Sequence, residues 1–214
     1  MTAEPAQRLW FKDAFESMFQ GQLGPTLTLK MRAGLKDRGL NLGAPLLPAY
    51  SAEVWAACIR YAAAEVYPGV ELDVGTYRLG ELFSQSFTTG MLGRSIIAML
   101  RLIGARRALP RMGRNFKNIT NYIDVVVEER SQDCFAACFN EVDGIPYFFK
   151  GTVDAAGTSL GAPRPSASRL VTNGHTAMMY FDLRPLEASP FPSVADLEAD
   201  SQRLLGEAPV GLPA

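Results

Sequence analysis

The stretch Asn118–Leu183 constrains the fold more than any other, because its local signals agree on one compact unit. Ile123, Val125 and Val127 alternate with Tyr122, Asp124, Val126 and Glu128, the period of a strand with one buried face. Phe135, Ala137 and Phe139 alternate with Cys134, Ala136, Cys138 and Asn140, which predicts a second strand. Turn residues Asp143-Gly144-Ile145-Pro146 follow. Phe149, Val153, Ala156 and Leu160 then recur at helical spacing, so that face is expected to lie on a sheet. Asn173-Gly174 reads as a two-residue hairpin turn between Ala167–Thr172 and the alternating run His175, Ala177, Met179, Phe181, Leu183. The order is strand, strand, helix, hairpin.

The preceding residues read as helical. Trp10, Phe11, Phe15, Met18 and Phe19 make the segment from Leu9 to Phe19 dense enough to dock, with room for a strand at its start. Leu27, Met31 and Leu35 share one face of a helix over Thr26–Arg38, with Gly39 at its C-cap. Ser51 caps a helix carrying Trp55, Cys58, Ile59, Ala62 and Val66, and Tyr67-Pro68-Gly69 ends it. Asp73 is expected to cap the next helix, which carries Leu79, Leu82, Phe83 and Phe87. Met91–Ile103 is apolar nearly all round and predicts a central buried helix. The fold class is therefore α+β: five or six helices packed on a four-stranded, mainly antiparallel sheet. Residues 1–184 form one domain, with a helical part over 1–117 and the strand-strand-helix-hairpin unit over 118–184. Residues 185–214 are a Pro-rich tail with a short helix.

Composition bounds the function. The formal net charge of -1 argues against a general nucleic-acid binder, and three cysteines suit a reducing compartment better than a disulfide framework. The N-terminus lacks a signal-peptide pattern, and the longest apolar run is too short to span a bilayer and carries Arg94 and Arg101. A cytoplasmic protein is expected. Charge is nevertheless unevenly placed. Arg94, Arg101, Arg106, Arg107, Arg111, Arg114 and Lys117 fall between Leu82 and Ile123 without one acid, whereas seven acids lie between Asp124 and Asp154. Such a basic segment suits an anionic ligand, a lipid headgroup or an acidic partner chain. Its plain alternative is a solvated surface, or mutual neutralisation of the two segments.

No phosphate-binding loop, dinucleotide fingerprint, nucleophile elbow or His-Glu-x-x-His pair is present, so no catalytic residue is assigned and no metal site. Cys134 and Cys138 would stand roughly 13 Å apart along a strand, too far to chelate one ion. His175 is the only histidine and the only histidine candidate for a haem iron; its place beside a turn suits a rim position better than a buried ligand. The leading expectation is a non-catalytic, sensory or regulatory domain with an apolar pocket between helices and sheet. Tyr50, Trp55, Phe83 and Phe87 are its candidate walls, and Arg94, Arg106 and Arg107 its anionic end. The alternative is an assembly module that meets a protein partner through the basic segment 94–117. A haem sensor is the minor alternative.

Leu46-Leu47-Pro48-Ala49-Tyr50, Trp55, Tyr67-Pro68-Gly69, Leu79-Gly80, Leu92-Gly93-Arg94, Gly104, Arg107-Ala108-Leu109, Phe116, Asn121-Tyr122, Tyr147 and Gly151 together resemble a myxobacterial paralogous family of unknown function. The likeness runs from about Phe15 to Leu183 and implies single-domain proteins with no assigned activity. In architecture the chain is similar to the superfamily of haem-nitric-oxide-binding domains, four-vinyl-reductase domains and Bet3-like tethering subunits. That resemblance implies that the space between helices and sheet holds haem, a small molecule or an acyl chain. Neither a helix-borne histidine nor the Tyr-x-Ser-x-Arg haem-propionate motif of the haem branch is present.

Overall fold

The computed structural model describes residues 7–89, 107, 112–131, 134–159 and 169–182. Strand β1 (Leu9–Phe11) opens the described chain and pairs antiparallel with β2 (Ala49–Ser51), Trp10 opposite Tyr50. Helix α1 (Lys12–Phe15) leaves β1 at once and widens into a π-helical segment over Glu16–Gln22. It buries Phe15, Met18 and Phe19. The helix expected from Thr26 starts three residues later. Gly24–Thr26 is a tight turn containing Pro25, and Thr28 caps α2 (Leu29–Asp37) by accepting the Met31 amide at 3.1 Å. Gly39 follows at a φ of 94°, the left-handed geometry expected past a helix end.

Ser51 caps α3 (Ala52–Val66) through the Val54 amide at 3.4 Å, and the helix stops before Pro68. Helix α4 (Leu72–Thr89) begins one residue before Asp73, which lies in the first turn instead of capping it. There its carboxylate complements the helix dipole. Helix α5 (Met112–Lys117) leads to β3 (Val125–Ser131), β4 (Cys134–Phe139), α6 (Pro146–Ser159), β5 (Arg169–Thr172) and β6 (Ala177–Asp182). The predicted Met91–Ile103 helix and the tail lie outside the described residues.

The four longer strands form one sheet, ordered β3-β4-β6-β5, with every pairing antiparallel. The fold is thus α+β, as the sequence implies. Three details differ from the alternation patterns. Strand β3 begins at Val125, not Tyr122, because the Asn140 side chain occupies the backbone of the approach: it accepts the Asp124 amide at 2.8 Å and donates to Tyr122 O at 2.9 Å. The β5–β6 connection spans four residues instead of two, since Thr172 pairs with Ala177 and Asn173 Oδ1 gathers the amides of His175 and Thr176 at 2.9 and 2.8 Å. And β4 is buried on both faces. Phe135, Ala137 and Phe139 join the main core, while Ala136 packs with Met178 and Tyr180 on the other side.

Helix α6 lies between α4 and the sheet. Phe149 meets Phe139 of β4 at a ring distance of 5.4 Å, and Phe148 meets Phe83 of α4 at 5.4 Å. The two helices approach through glycine: a Cβ on Gly80 would overlap Phe148 O, and one on Gly151 would overlap Tyr77 O. Among the described residues no helix is long and apolar enough to cross a membrane.

Candidate functional site

β1 delivers Trp10 into the centre of the molecule because a three-residue strand points its middle side chain opposite to its neighbours; Leu9 and Phe11 are half-buried and Trp10 is fully buried. Trp10 stacks on Trp55 of α3 with ring centroids 4.2 Å apart and planes 14° from parallel. Around Trp55 stand Phe15 at 4.9 Å, Phe83 at 5.5 Å and Phe148 at 5.7 Å, each edge-on. Tyr50 tilts against Phe15 at 4.4 Å, and its hydroxyl accepts the Leu47 amide at 3.0 Å. Three of the expected wall residues, Tyr50, Trp55 and Phe83, are therefore brought into one aromatic cluster. One polar atom in it is unsatisfied: the buried Trp55 Nε1 has no acceptor among the described residues. An unmade hydrogen bond at a buried donor costs about 1–3 kcal/mol.

Trp10 carries the cluster to a polar end. Its Nε1 donates to Tyr122 Oη at 2.8 Å and to Asp143 Oδ2 at 3.0 Å, and the Tyr122 hydroxyl donates to the same Oδ2 in a short bond. Asp143 sits in the turn after β4 at a φ of 50°, held there by Arg60 of α3, whose Nη2 donates to Gly144 O at 2.9 Å and Asp143 O at 3.4 Å. Glu141 braces the same turn by accepting the amides of Val142 and Asp143 at 3.0 and 2.9 Å. Arg8 closes the group, 2.5 Å from Glu141, 3.6 Å from Glu53 and 3.9 Å from Asp143 Oδ1, with its guanidinium over the Tyr122 ring. The Asp143 side chain is 2% exposed, and its Oδ1 accepts no hydrogen bond among the described residues. Burial raises the Asp143 carboxyl above its ordinary value, although Tyr122 and Trp10 pull the other way. Tyr122 is raised by the same burial and by the charge of Asp143.

Of the remaining sequence candidates, Arg107 and His175 have described side chains. Arg107 is exposed; Arg94, Arg106 and the side chain of Phe87 lie outside the described residues. Lys117 pairs with Asp124 at 2.7 Å, so at one position the basic segment is neutralised by the acidic strand that follows it. His175 stands in the β5–β6 turn with its side chain 79% exposed, 3.6 Å from Glu141. Sequence reasoning missed Asp143, Glu141 and Arg8 as a group, and saw in Trp10 only a docking residue. The one available signal was Asp143-Gly144, read as turn chemistry alone.

A helical layer on one side of a four-stranded antiparallel sheet, with a helix inserted between β4 and a C-terminal hairpin, defines an α+β domain of the H-NOX type of fold. The chain belongs to the family described as Protein of unknown function (DUF2378), whose model matches residues 8–184. It is similar in structure to an Fe(II) unliganded H-NOX protein from K. algicida, with a TM-score of 0.53 at 11% identity, covering 81% of this chain and 95% of that one. An H-NOX protein from S. oneidensis in the Fe(II)NO ligation state aligns at a TM-score of 0.55 and 8% identity, over 81% of this chain and 97% of that one. An oxygen-binding H-NOX domain related to soluble guanylate cyclases gives 0.53 at 9% identity, over 84% and 97%. No curated protein matches the sequence.

Proposed function

We propose that this protein is a non-enzymatic, cytoplasmic sensory domain that takes a small, largely apolar molecule bearing a hydrogen-bond acceptor, held between helices and sheet at the Trp55 indole. The observation that carries the reading is the buried, acceptor-less Trp55 Nε1 inside an aromatic cluster. An acceptor from a ligand satisfies that donor, and the surrounding rings supply apolar area for the rest of the molecule. The fold supports it as well, since its structural neighbours include ligand-binding H-NOX domains.

On this reading the ligand is not haem. The only histidine is exposed in the β5–β6 turn, which leaves no buried imidazole for an iron.

Mass spectrometry of the purified protein under native and then denaturing conditions tests the proposal. A mass excess present only in the native spectrum is expected, together with movement of the Trp55 indole N–H resonance when the released compound is added back. A native mass equal to the chain mass, with an indole resonance insensitive to a library of small carbonyl compounds, would overturn it.

A second reading, an assembly module built on the basic segment, rests on the exposure of Arg107 and Arg114. Replacing both by alanine is then expected to abolish a salt-sensitive partner interaction and leave thermal stability unchanged. A parallel loss of stability would make these arginines structural.

A further inference from the structure

One end of the helical half leaves apolar side chains in water. Of the seven large ones exposed among the described residues, four stand there: Leu29, 87% exposed, at the first position of α2, and Val70, Leu72 and Val74, each close to half exposed, in the turn into α4. The last turns of α3 bring them to the same end. Lys30 of α2 pairs with Glu65 at 2.9 Å, and its carbonyl accepts the Tyr61 hydroxyl at 3.3 Å. On the other flank Gly75 of α4 lies against Ala63, where an added Cβ would come within 3.2 Å of the alanine methyl. Residues 63 and 65 point about 200° apart on a helix about 10 Å across, so α2 and the start of α4 flank α3 on opposite sides. Neither apolar group covers the other within one chain.

Each group has its own charge. Leu29, Arg32, Ala33 and Lys36 share one exposed face of α2, while Met31 and Leu35 hold the opposite face in the core. The one acid of α2, Asp37, lies at its far end. The α4 group is threaded with acids instead: Glu71 and Asp73 alternate with Val70, Leu72 and Val74, and both are exposed. One group is apolar and basic, the other apolar and acidic.

We infer that two copies of the chain associate at this end about a twofold axis, the α2 face of each against the Val70–Val74 turn of the other. A twofold pairing repeats every contact in reverse, so a chain carrying two unlike but complementary groups uses both at once. Leu29 packs against Val70 and Leu72 of the second copy, and Arg32 meets Glu71 of the second copy. A partner of other sequence would need an acidic and a basic apolar patch at the matching separation, which a second copy has by construction. The surface is small: the nine residues of α2 and one turn fall below the roughly 20–30 residues a side of a standard interface, so the pairing is weak and reversible. Trp55 lies near the opposite end of α3, so the pairing is independent of a ligand at that indole.

Sedimentation velocity of the full chain tests it. The wild type is expected to be largely dimeric at about 100 µM and monomeric at about 1 µM, as suits an interface of this size. Leu29→Asp sets a carboxylate against Glu71 and is expected to leave a monomer throughout, with an unchanged melting temperature because the side chain is already in water. Arg32→Glu and Glu71→Arg are each expected to weaken association about tenfold or more. Joined in one chain they are expected to restore it, and an equimolar mixture of the two single variants is expected to form a one-to-one pair, since opposite charges then face each other at both contacts. The inference is overturned by a wild type that stays monomeric at the highest concentration, by a dimer that Leu29→Asp leaves intact, or by charge reversals that fail to rescue one another. Species larger than two, growing with concentration, would mark an open head-to-tail chain and overturn it as well.

Discussion

Gly80 and Gly151 face each other's helices across the α4–α6 crossing, each beneath a backbone carbonyl of the opposite helix: Phe148 O over Gly80 and Tyr77 O over Gly151. The reciprocity lets two helices pack backbone to backbone, and Thr152 uses the closeness to bond Gly80 O at 3.3 Å. Gly80→Ala and Gly151→Ala are each expected to destabilise the protein by about 2 kcal/mol, because the overlapping atom is backbone and cannot rotate away. Denaturant unfolding measures this. The double variant should cost less than the sum, since the first methyl already separates the helices.

Trp10→Phe preserves a ring against Trp55 and removes the Nε1 donor. It is expected to cost about 2 kcal/mol through the lost bonds to Tyr122 and Asp143 and the lost ring area. Tyr122→Phe, which also strips a donor from Asp143 Oδ2, should raise the Asp143 carboxyl further. A carboxyl carbon titration by NMR reads the second effect; a lowered value would contradict the hydrogen bonding described.

Cys58 is buried in α3, and burial holds its thiol far above the usual range, up to about 12. Alkylation at pH 8 is expected to label Cys58 only after unfolding. By linkage, the neutral thiol favours the fold fully below its ordinary value of 9.0, and that contribution is lost as pH rises towards 12. Cys58→Ala should therefore flatten the alkaline decline of the melting temperature, at the expense of a small cavity.

Haem gives the sharpest spectroscopic test. Protein purified from haem-supplemented cells is expected to show no Soret band, and His175→Ala should leave its absorption spectrum unchanged. A Soret peak that disappears in His175→Ala would overturn this expectation.

The sheet was legible because its strands carry their own periodicity: Phe135, Ala137 and Phe139 alternate whatever they pair with, and Asn173 marks a turn by its own side chain. Ser51 was legible as a cap for the same local reason. β1 was legible only as room for a strand at the start of Leu9–Phe19, and β2 not at all, since three residues are too few to show a period and their pairing joins Trp10 to Tyr50. The double burial of β4 escaped notice because Ala136 and Cys138 are small enough to suit either side of a sheet. The aromatic candidates were visible by size, and Tyr50, Trp55 and Phe83 do meet. The polar end was not, because Arg8, Tyr122 and Asp143 acquire their roles only from one another, across 133 residues between Arg8 and Glu141.

That separation governs when the molecule can be finished as it leaves the ribosome. β1 can pair with β2 once Ser51 has emerged, yet its other partners, Thr120, Tyr122 and Asp143, are synthesised far later. Until then the nascent chain carries Trp10 without acceptors for its indole and a helical half whose aromatic centre lacks Phe148 and Phe149. β1, made before the four-stranded sheet, is thus secured only after it, and the slowest step of folding is expected to be the docking of β1 onto a sheet that already exists.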